Sequence, residues 1–122
     1  MRLGLYAINY GTCADPDSLV RVAQYAEQAG IESLWAGEHI VLPSPQPADY
    51  AIAPEIPFLD AIVALASAAA HTSSIRLGTA IIDLPLHQPV LLAKQLASLD
   101  VIASGRLAVG VGVGYLEAEF AA

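Results

Sequence analysis

Ile75-Arg76-Leu77-Gly78-Thr79-Ala80-Ile81-Ile82 and Leu107-Ala108-Val109-Gly110-Val111-Gly112-Val113 bracket the stretch that decides the fold. Between these two strand-like runs lie a proline-bounded loop (83–88) and a helical run (89–104). Pro89 suits the first helical position, where its missing N–H wastes no hydrogen bond. Gly105 suits the left-handed residue just past a helix end. Strand, crossover helix, strand is a βαβ unit, and that crossover requires parallel pairing.

Period-2 alternation along 107–114 puts Leu107, Val109, Val111 and Val113 on one face. Ala108, Gly110, Gly112 and Gly114 fall on the other. Each glycine weakens a strand, so three on one face need a reason. The residues favour a flat ligand lying close to the backbone, at the C-terminal strand end where α/β barrels hold their sites. The alternatives are a barrel layer that closes only on small residues, or a neighbouring side chain that fills the gap. Gly110-x-Gly112-x-Gly114 is not the dinucleotide pattern G-x-G-x-x-G, and no Gly-Lys-Ser/Thr follows it. Residues 115–120 read as a helix start, with acidic residues in its first turns and N–H groups suited to an anion or a polar ring edge.

A chain of 122 residues is one domain at most and long enough for a sizeable core. It is 56% hydrophobic and 14% charged, as suits parallel strands buried on both faces. The net charge is −7, and the five basic residues (Arg2, Arg21, Arg76, Lys94, Arg106) are scattered, which argues against nucleic-acid binding. Cys13 is the single cysteine, so no disulfide framework exists and a reducing cytoplasm is the expected location. The apolar run 61–70 is too short to span a bilayer, and the N-terminus has no signal-peptide architecture.

Taken in order, 2–8 reads as a buried strand, and Asp15-Pro16 opens a helix with Leu19, Val22, Ala23 and Ala26 in helical spacing up to Gly30. Residues 31–36 form the second strand, closing on Gly37-Glu38-His39. A proline-rich loop (40–56) follows, and its length suggests a lid over a site. Pro57 is expected to open the next helix, running to about His71. The resulting β-α-β-α-β-α-β order gives a parallel α/β sheet. Pattern alone leaves open a doubly wound sheet or a (β/α)₈ barrel, which needs about 250 residues.

Ser33-Leu34-Trp35-Ala36-Gly37-Glu38-His39, Leu77-Gly78-Thr79-Ala80-Ile81 and Arg106-Leu107-Ala108-Val109-Gly110-Val111-Gly112-Val113-Gly114-Tyr115-Leu116-x-x-Glu119-Phe120 together resemble luciferase-like monooxygenases. The closer resemblance is to the branch of that superfamily using the deazaflavin coenzyme F420. It implies a (β/α)₈ TIM-barrel type of fold with only about the first four βα units present. Residues 1–122 would then be the N-terminal half of that domain, a truncated or partial copy.

The resemblance implies an F420-dependent oxidoreductase passing a hydride between the deazaflavin and a small organic substrate. An FMN-dependent monooxygenase is the alternative, and a non-catalytic half-barrel fragment or assembly module is a third reading. His39 would handle the proton and Glu38 would bond the cofactor or fix the imidazole tautomer. The alternative for His39 is a capping or loop-bonded histidine. A cis peptide is implied at Ala80–Ile81, with Thr79, Ala80, Ile81, Gly112, Val113, Gly114 and Tyr115 around the ring. His71 reads as a helix C-terminal residue and His87 as a rim residue, and the three separated histidines form no zinc site. No membrane or nucleic-acid partner is expected. Open first and fourth strands imply a homo-oligomer or a complementing C-terminal half.

Overall fold

The structure is a computed structural model that describes residues 1–45 and 52–122. Four strands, β1 (Gly4–Tyr6), β2 (Ser33–Ala36), β3 (Arg76–Asp83) and β4 (Leu107–Gly112), pair in parallel in the order β1-β2-β3-β4. Spatial order follows chain order, without the reversal at which a doubly wound sheet places its ligands. The barrel type of winding is what remains. Helices α1 (Pro16–Gln28), α2 (Ala61–Ala70) and α3 (Pro89–Ile102) make the crossovers, and α4 (Glu117–Phe120) begins after β4.

Each crossover helix starts on a side-chain cap. Asp15 accepts from the Ser18 N–H at 2.9 Å, Asp60 from Val63 at 2.8 Å and Gln88 from Leu91 at 2.7 Å. These caps satisfy donors that have no partner inside the helix. Pro16 and Pro89 stand in the first turns as the sequence predicts. Pro57 does not open α2. The segment around it is held extended by the Tyr10–Phe58 bridge and by bonds from Gly11 N–H to Pro57 O (2.9 Å) and Leu59 N–H to Asn9 O (2.8 Å), so the helix waits for Asp60.

Other boundaries shift for equally local reasons. The first strand is shorter than 2–8, since Ala7 takes a positive φ of 71° just past Tyr6. Helix α3 stops at Ile102 rather than 104 because Ser104 and Gly105 both turn to positive φ. The lid expectation falls partly on 46–51, outside the described residues.

The core lies between one sheet face and the three crossover helices. Leu34, Ala36, Leu77 and Ile82 from the sheet pack with Leu19 and Ala23 of α1, Ala64, Leu65 and Ala68 of α2, and Leu92 and Leu99 of α3. Burying each large aliphatic side chain stabilises the fold by about 1.5–3 kcal/mol. The opposite face carries the register row Tyr6, Trp35, Gly78 and Ala108. Pairing of β3 with β4 is interrupted between Thr79 and Ile82, where the Ala80–Ile81 peptide is cis as the resemblance implies.

The glycine face of β4 departs from expectation at that interruption. A Cβ on Gly110 would meet the Thr79 carbonyl oxygen, one on Gly112 would meet the Ile81 side chain, and one on Gly114 would lie 2.7 Å from the Phe120 ring. Neighbouring protein atoms therefore take the space that the sequence reading gave to a flat ligand. The glycines let β3 and α4 approach β4.

Two polar clamps hold the N-terminal ends of the strands. The Arg106 guanidinium donates to the carbonyls of Ala69, Thr72, Ile75 and Ala103 and to the Thr72 hydroxyl, at 2.7–3.1 Å. A cation on those carbonyls complements the C-terminal dipole of α2. Glu27 Oε1, at the end of α1, accepts from the N–H groups of Ser73, Ser74 and Ile75 at 2.6–2.9 Å. Those backbone bonds hold its carboxyl down at about 2, from an ordinary value of 4.5.

A carboxyl whose folded value is depressed stabilises the fold above its ordinary value and stops doing so as pH falls toward the folded one. Glu27→Gln is expected to cost about 1 kcal/mol at neutral pH, below the usual range for bonds to a charged group because water reaches this side chain. The difference from wild type should shrink between pH 4.5 and about 2. Urea denaturation across that range measures it, and a pH-independent gap would show that the charge is not what matters.

Candidate active site at the C-terminal strand ends

All four strands deliver side chains to one cavity of about 200 Å³ beyond their C-terminal ends. Tyr6 and Tyr10 come from the end of β1, Glu38 and His39 follow β2, Ala80, Ile81 and Asp83 come from β3, and Gly114 and Tyr115 follow β4. Phe58 closes one side, stacked on Tyr10 with ring centroids 5.1 Å apart and edge-on to His39 at 5.6 Å. Tyr115 stands edge-on to His39 at 6.2 Å.

Asn9 holds this end of the sheet together. Fully buried, it donates from Nδ2 to the carbonyls of Gly37 (2.8 Å) and Leu59 (2.7 Å) and accepts at Oδ1 from the Gly37 N–H (3.2 Å). One amide thus ties the exits of β1 and β2 to the entrance of α2.

Glu38 and His39 are adjacent in sequence but have different partners. Glu38 Oε2 accepts from the Asp83 N–H at 2.8 Å and lies 2.9 Å from His87 Nε2. His39 Nδ1 lies 2.9 Å from Oε2 of Glu119, whose Oε1 accepts from the N–H groups of Ile40 (2.8 Å) and Val41 (3.4 Å). Of the two roles expected of Glu38, bonding a cofactor or fixing the His39 tautomer, the second is therefore corrected. Neighbours in an extended segment point to opposite sides, and His39 meets a carboxylate 80 residues away. Glu38 Oε1 is buried without a hydrogen-bond partner among the described residues.

The electrostatics follow from crowding. Burial raises the Asp83 carboxyl above its ordinary value, the charges of Glu119 and Glu38 raise it further, and His39 and His87 oppose them. Burial also raises the Tyr6 phenol, with smaller contributions from Tyr10 and Tyr115. No lysine or arginine lines the cavity among the described residues.

The structure brings Glu38, His39, Ala80, Ile81, Gly114 and Tyr115 to the cavity wall and leaves Thr79, Gly112 and Val113 out of it. Thr79 is fully buried, its hydroxyl donating to Gly110 O at 2.8 Å and accepting from Gly110 N–H at 3.0 Å. Val113 is 78% exposed. His87 sits behind Glu38 rather than on the rim, and His71 bonds the Ser67 carbonyl through Nδ1 at the end of α2, as a helix-terminal histidine should. No metal-binding cluster occurs among the described residues. Tyr6, Tyr10, Asp83 and Glu119 escaped the sequence reading. Glu119 alone had a signal, as part of the quoted motif after β4.

The luciferase-like monooxygenase family matches residues 3–122. The chain belongs to the luciferase-like monooxygenase family. The oxygenase component of a flavin-dependent trigonelline monooxygenase from Acinetobacter baylyi is 33% identical over 104 residues, 85% of this chain and 26% of the relative. The oxygenating constituent of 3,6-diketocamphane monooxygenase from Pseudomonas putida, solved with FMN, superposes with a TM-score of 0.75 at 28% identity, over 99% of this chain and 32% of that one. The coenzyme F420-dependent tetrahydromethanopterin reductase from Methanopyrus kandleri gives 0.71 at 26% identity, over 98% of this chain and 29% of that one. The luciferase-like chain thus spans about a quarter to a third of the length of these relatives. No helix among its described residues is long and apolar enough to cross a membrane.

Asn9→Leu keeps the branching of the side chain with greater bulk and removes both donor and acceptor, leaving Gly37 and Leu59 groups unpaired. We expect a loss of about 1–3 kcal/mol in urea denaturation. A loss below about 0.5 kcal/mol, the scale of ordinary surface changes, would show that the junction holds without Asn9.

Proposed function

We propose that the cavity is the ring-binding end of a flavin-class redox site, belonging to an oxidoreductase that passes a hydride between coenzyme F420 and a small organic substrate. The observation that carries this reading is His39, held by Glu119 in the cavity wall beneath the ends of all four strands. The donor set fits a heteroaromatic ring. Tyr6, Ile81 and Tyr115 offer flat or apolar surface, and Glu38 Oε1, buried without a partner among the described residues, offers an acceptor for a ring N–H. The lining has no cation for a phosphate tail among the described residues, and about 200 Å³ suits one edge of a ring system rather than a whole cofactor. Thr79 and Gly112 act from behind, one locking β3 to β4 and the other admitting Ile81.

When bound, the deazaflavin supplies the hydride chemistry. The chain's own residues place the ring edge, keep water from the aromatic wall and hold or release a proton at His39. A second reading is an FMN-dependent monooxygenase acting through the same residues. The trigonelline monooxygenase relative and the FMN-bound diketocamphane enzyme favour it. Spectral titration with F420 and with FMN separates the two. Binding of neither leaves a non-catalytic half-barrel or assembly module. In a cofactor-competent form, His39→Ala should lower kcat by about 10²–10⁴-fold with little change in cofactor affinity. Unchanged turnover would make His39 structural.

We also propose that these 122 residues by themselves associate with a second copy. Among the described residues strands β1 and β4 each pair on one side only, and Leu5, Val109 and Val111 expose apolar surface. A charge of −7 opposes this only weakly at physiological salt. Sedimentation at low concentration should show dimers or larger species. A stable monomer that binds F420 tightly would contradict it.

A further inference from the structure

We propose that Glu119 is the positioning residue that sets the tautomer and orientation of His39, an inference that rests on the proton role given to His39 above. The two oxygens of Glu119 have separate tasks. Oε1 receives the Ile40 and Val41 N–H groups, while Oε2 faces His39 Nδ1. The pair is dry, with side-chain exposures of 2% for Glu119 and 10% for His39. A carboxylate only accepts, so the imidazole nitrogen facing it carries the proton, and Nε2 is the nitrogen with a lone pair.

The polarity of this arrangement is fixed at its far end. Backbone N–H groups donate and cannot be reversed, so whichever atom occupies the Oε1 position must accept. The Ile40–Val41 turn therefore orients the group at position 119, which in turn orients the imidazole. Among the described residues, no other hydrogen bond of the Glu119 side chain competes with these. The motif residue after β4 thereby acts on the residue after β2, joining two strand ends that lie two strands apart in the sheet.

This asymmetry gives Glu119→Gln an unusual expected outcome. The amide keeps the size and shape of the carboxylate. The Ile40 and Val41 N–H groups retain its oxygen, so its NH₂ is directed at His39 Nδ1. That nitrogen must then accept, and the ring proton moves to Nε2. Geometry is preserved and the tautomer is inverted, as happens when an amide replaces the carboxylate that orients a catalytic histidine. A group serving only to hold the 40–41 turn would leave the tautomer alone.

The test is ¹⁵N NMR of the imidazole ring at neutral or mildly alkaline pH, in the 122-residue chain and its Glu119→Gln variant, with the Ile40 and Val41 amide signals reporting that residue 119 is seated. The wild type should show Nδ1 as the protonated nitrogen and Nε2 as the bare one, and the variant should show the reverse. Turnover of a cofactor-competent variant should fall by about 10²–10⁴-fold while KM changes little. A wild-type ring protonated at Nε2 overturns the inference whether or not the variant folds. A seated variant that keeps Nδ1–H overturns it too. An inverted tautomer with undiminished turnover upholds the role of Glu119 and removes the proton role of His39.

Discussion

The buried amide of Asn9 is the constraint on which the site depends. Strands β1 and β2 end at this junction and α2 begins at it, and each leaves backbone groups that the ladder does not pair. Water does not reach Asn9, so those groups need protein partners. An asparagine side chain carries both a donor and an acceptor, as a backbone unit does, and Asn9 uses them on Gly37 and Leu59. Its backbone carbonyl takes the Leu59 N–H as well. Gly37 is thereby fixed immediately before Glu38 and His39, and Phe58 is fixed immediately before Leu59. The position of His39 against the Phe58 ring follows from that one junction.

From the junction outward, adjacency in the chain is converted into separation in space. Glu38 turns toward β3, where Asp83 N–H and His87 meet it, and His39 turns toward α4 and Glu119. Two imidazole–carboxylate pairs result, with the carboxyl of Asp83 among them. Each carboxylate also accepts a backbone N–H, so neither depends on its histidine alone to remain satisfied in a buried setting.

The parts of this arrangement that the sequence revealed are those written in local chemistry. Asp15-Pro16, Pro89 and Gly105 announce helix ends because caps and φ preferences act within a few residues. The βα alternation announces parallel pairing for the same reason. The start of α2 was misplaced because Pro57 satisfies the local rule for a helix start, while the Tyr10–Phe58 pairing that overrides it spans nearly fifty residues of chain. The glycine face was legible as close approach but not as to what approaches. Ile81 and Phe120 fill it because β3 is irregular and α4 folds back, and neither event has a mark in the β4 sequence. For Glu38 the resemblance implied a bond to the cofactor or a hold on the His39 tautomer, and the second fails because the carboxylate that reaches His39 comes from α4, far along the chain.

Charge then limits what this cavity is suited to hold. Glu38, Asp83 and Glu119 are three carboxyl groups with two imidazoles among them and no lysine or arginine in the described lining. An anionic group entering here would meet uncompensated repulsion in a weakly screened setting, so the phosphate end of any nucleotide-like cofactor belongs elsewhere. Asp83 lies at the centre of this imbalance. Burial first, and the charges of Glu119 and Glu38 next, raise its carboxyl above the ordinary value. Glu38, tied to a backbone N–H and to His87, offers only acceptors while it is ionised. Under the flavin-class reading proposed above, the buried Glu38 Oε1 would be the acceptor for a ring N–H. Under the same reading, the aromatic residues around it would supply the surface for the ring's faces.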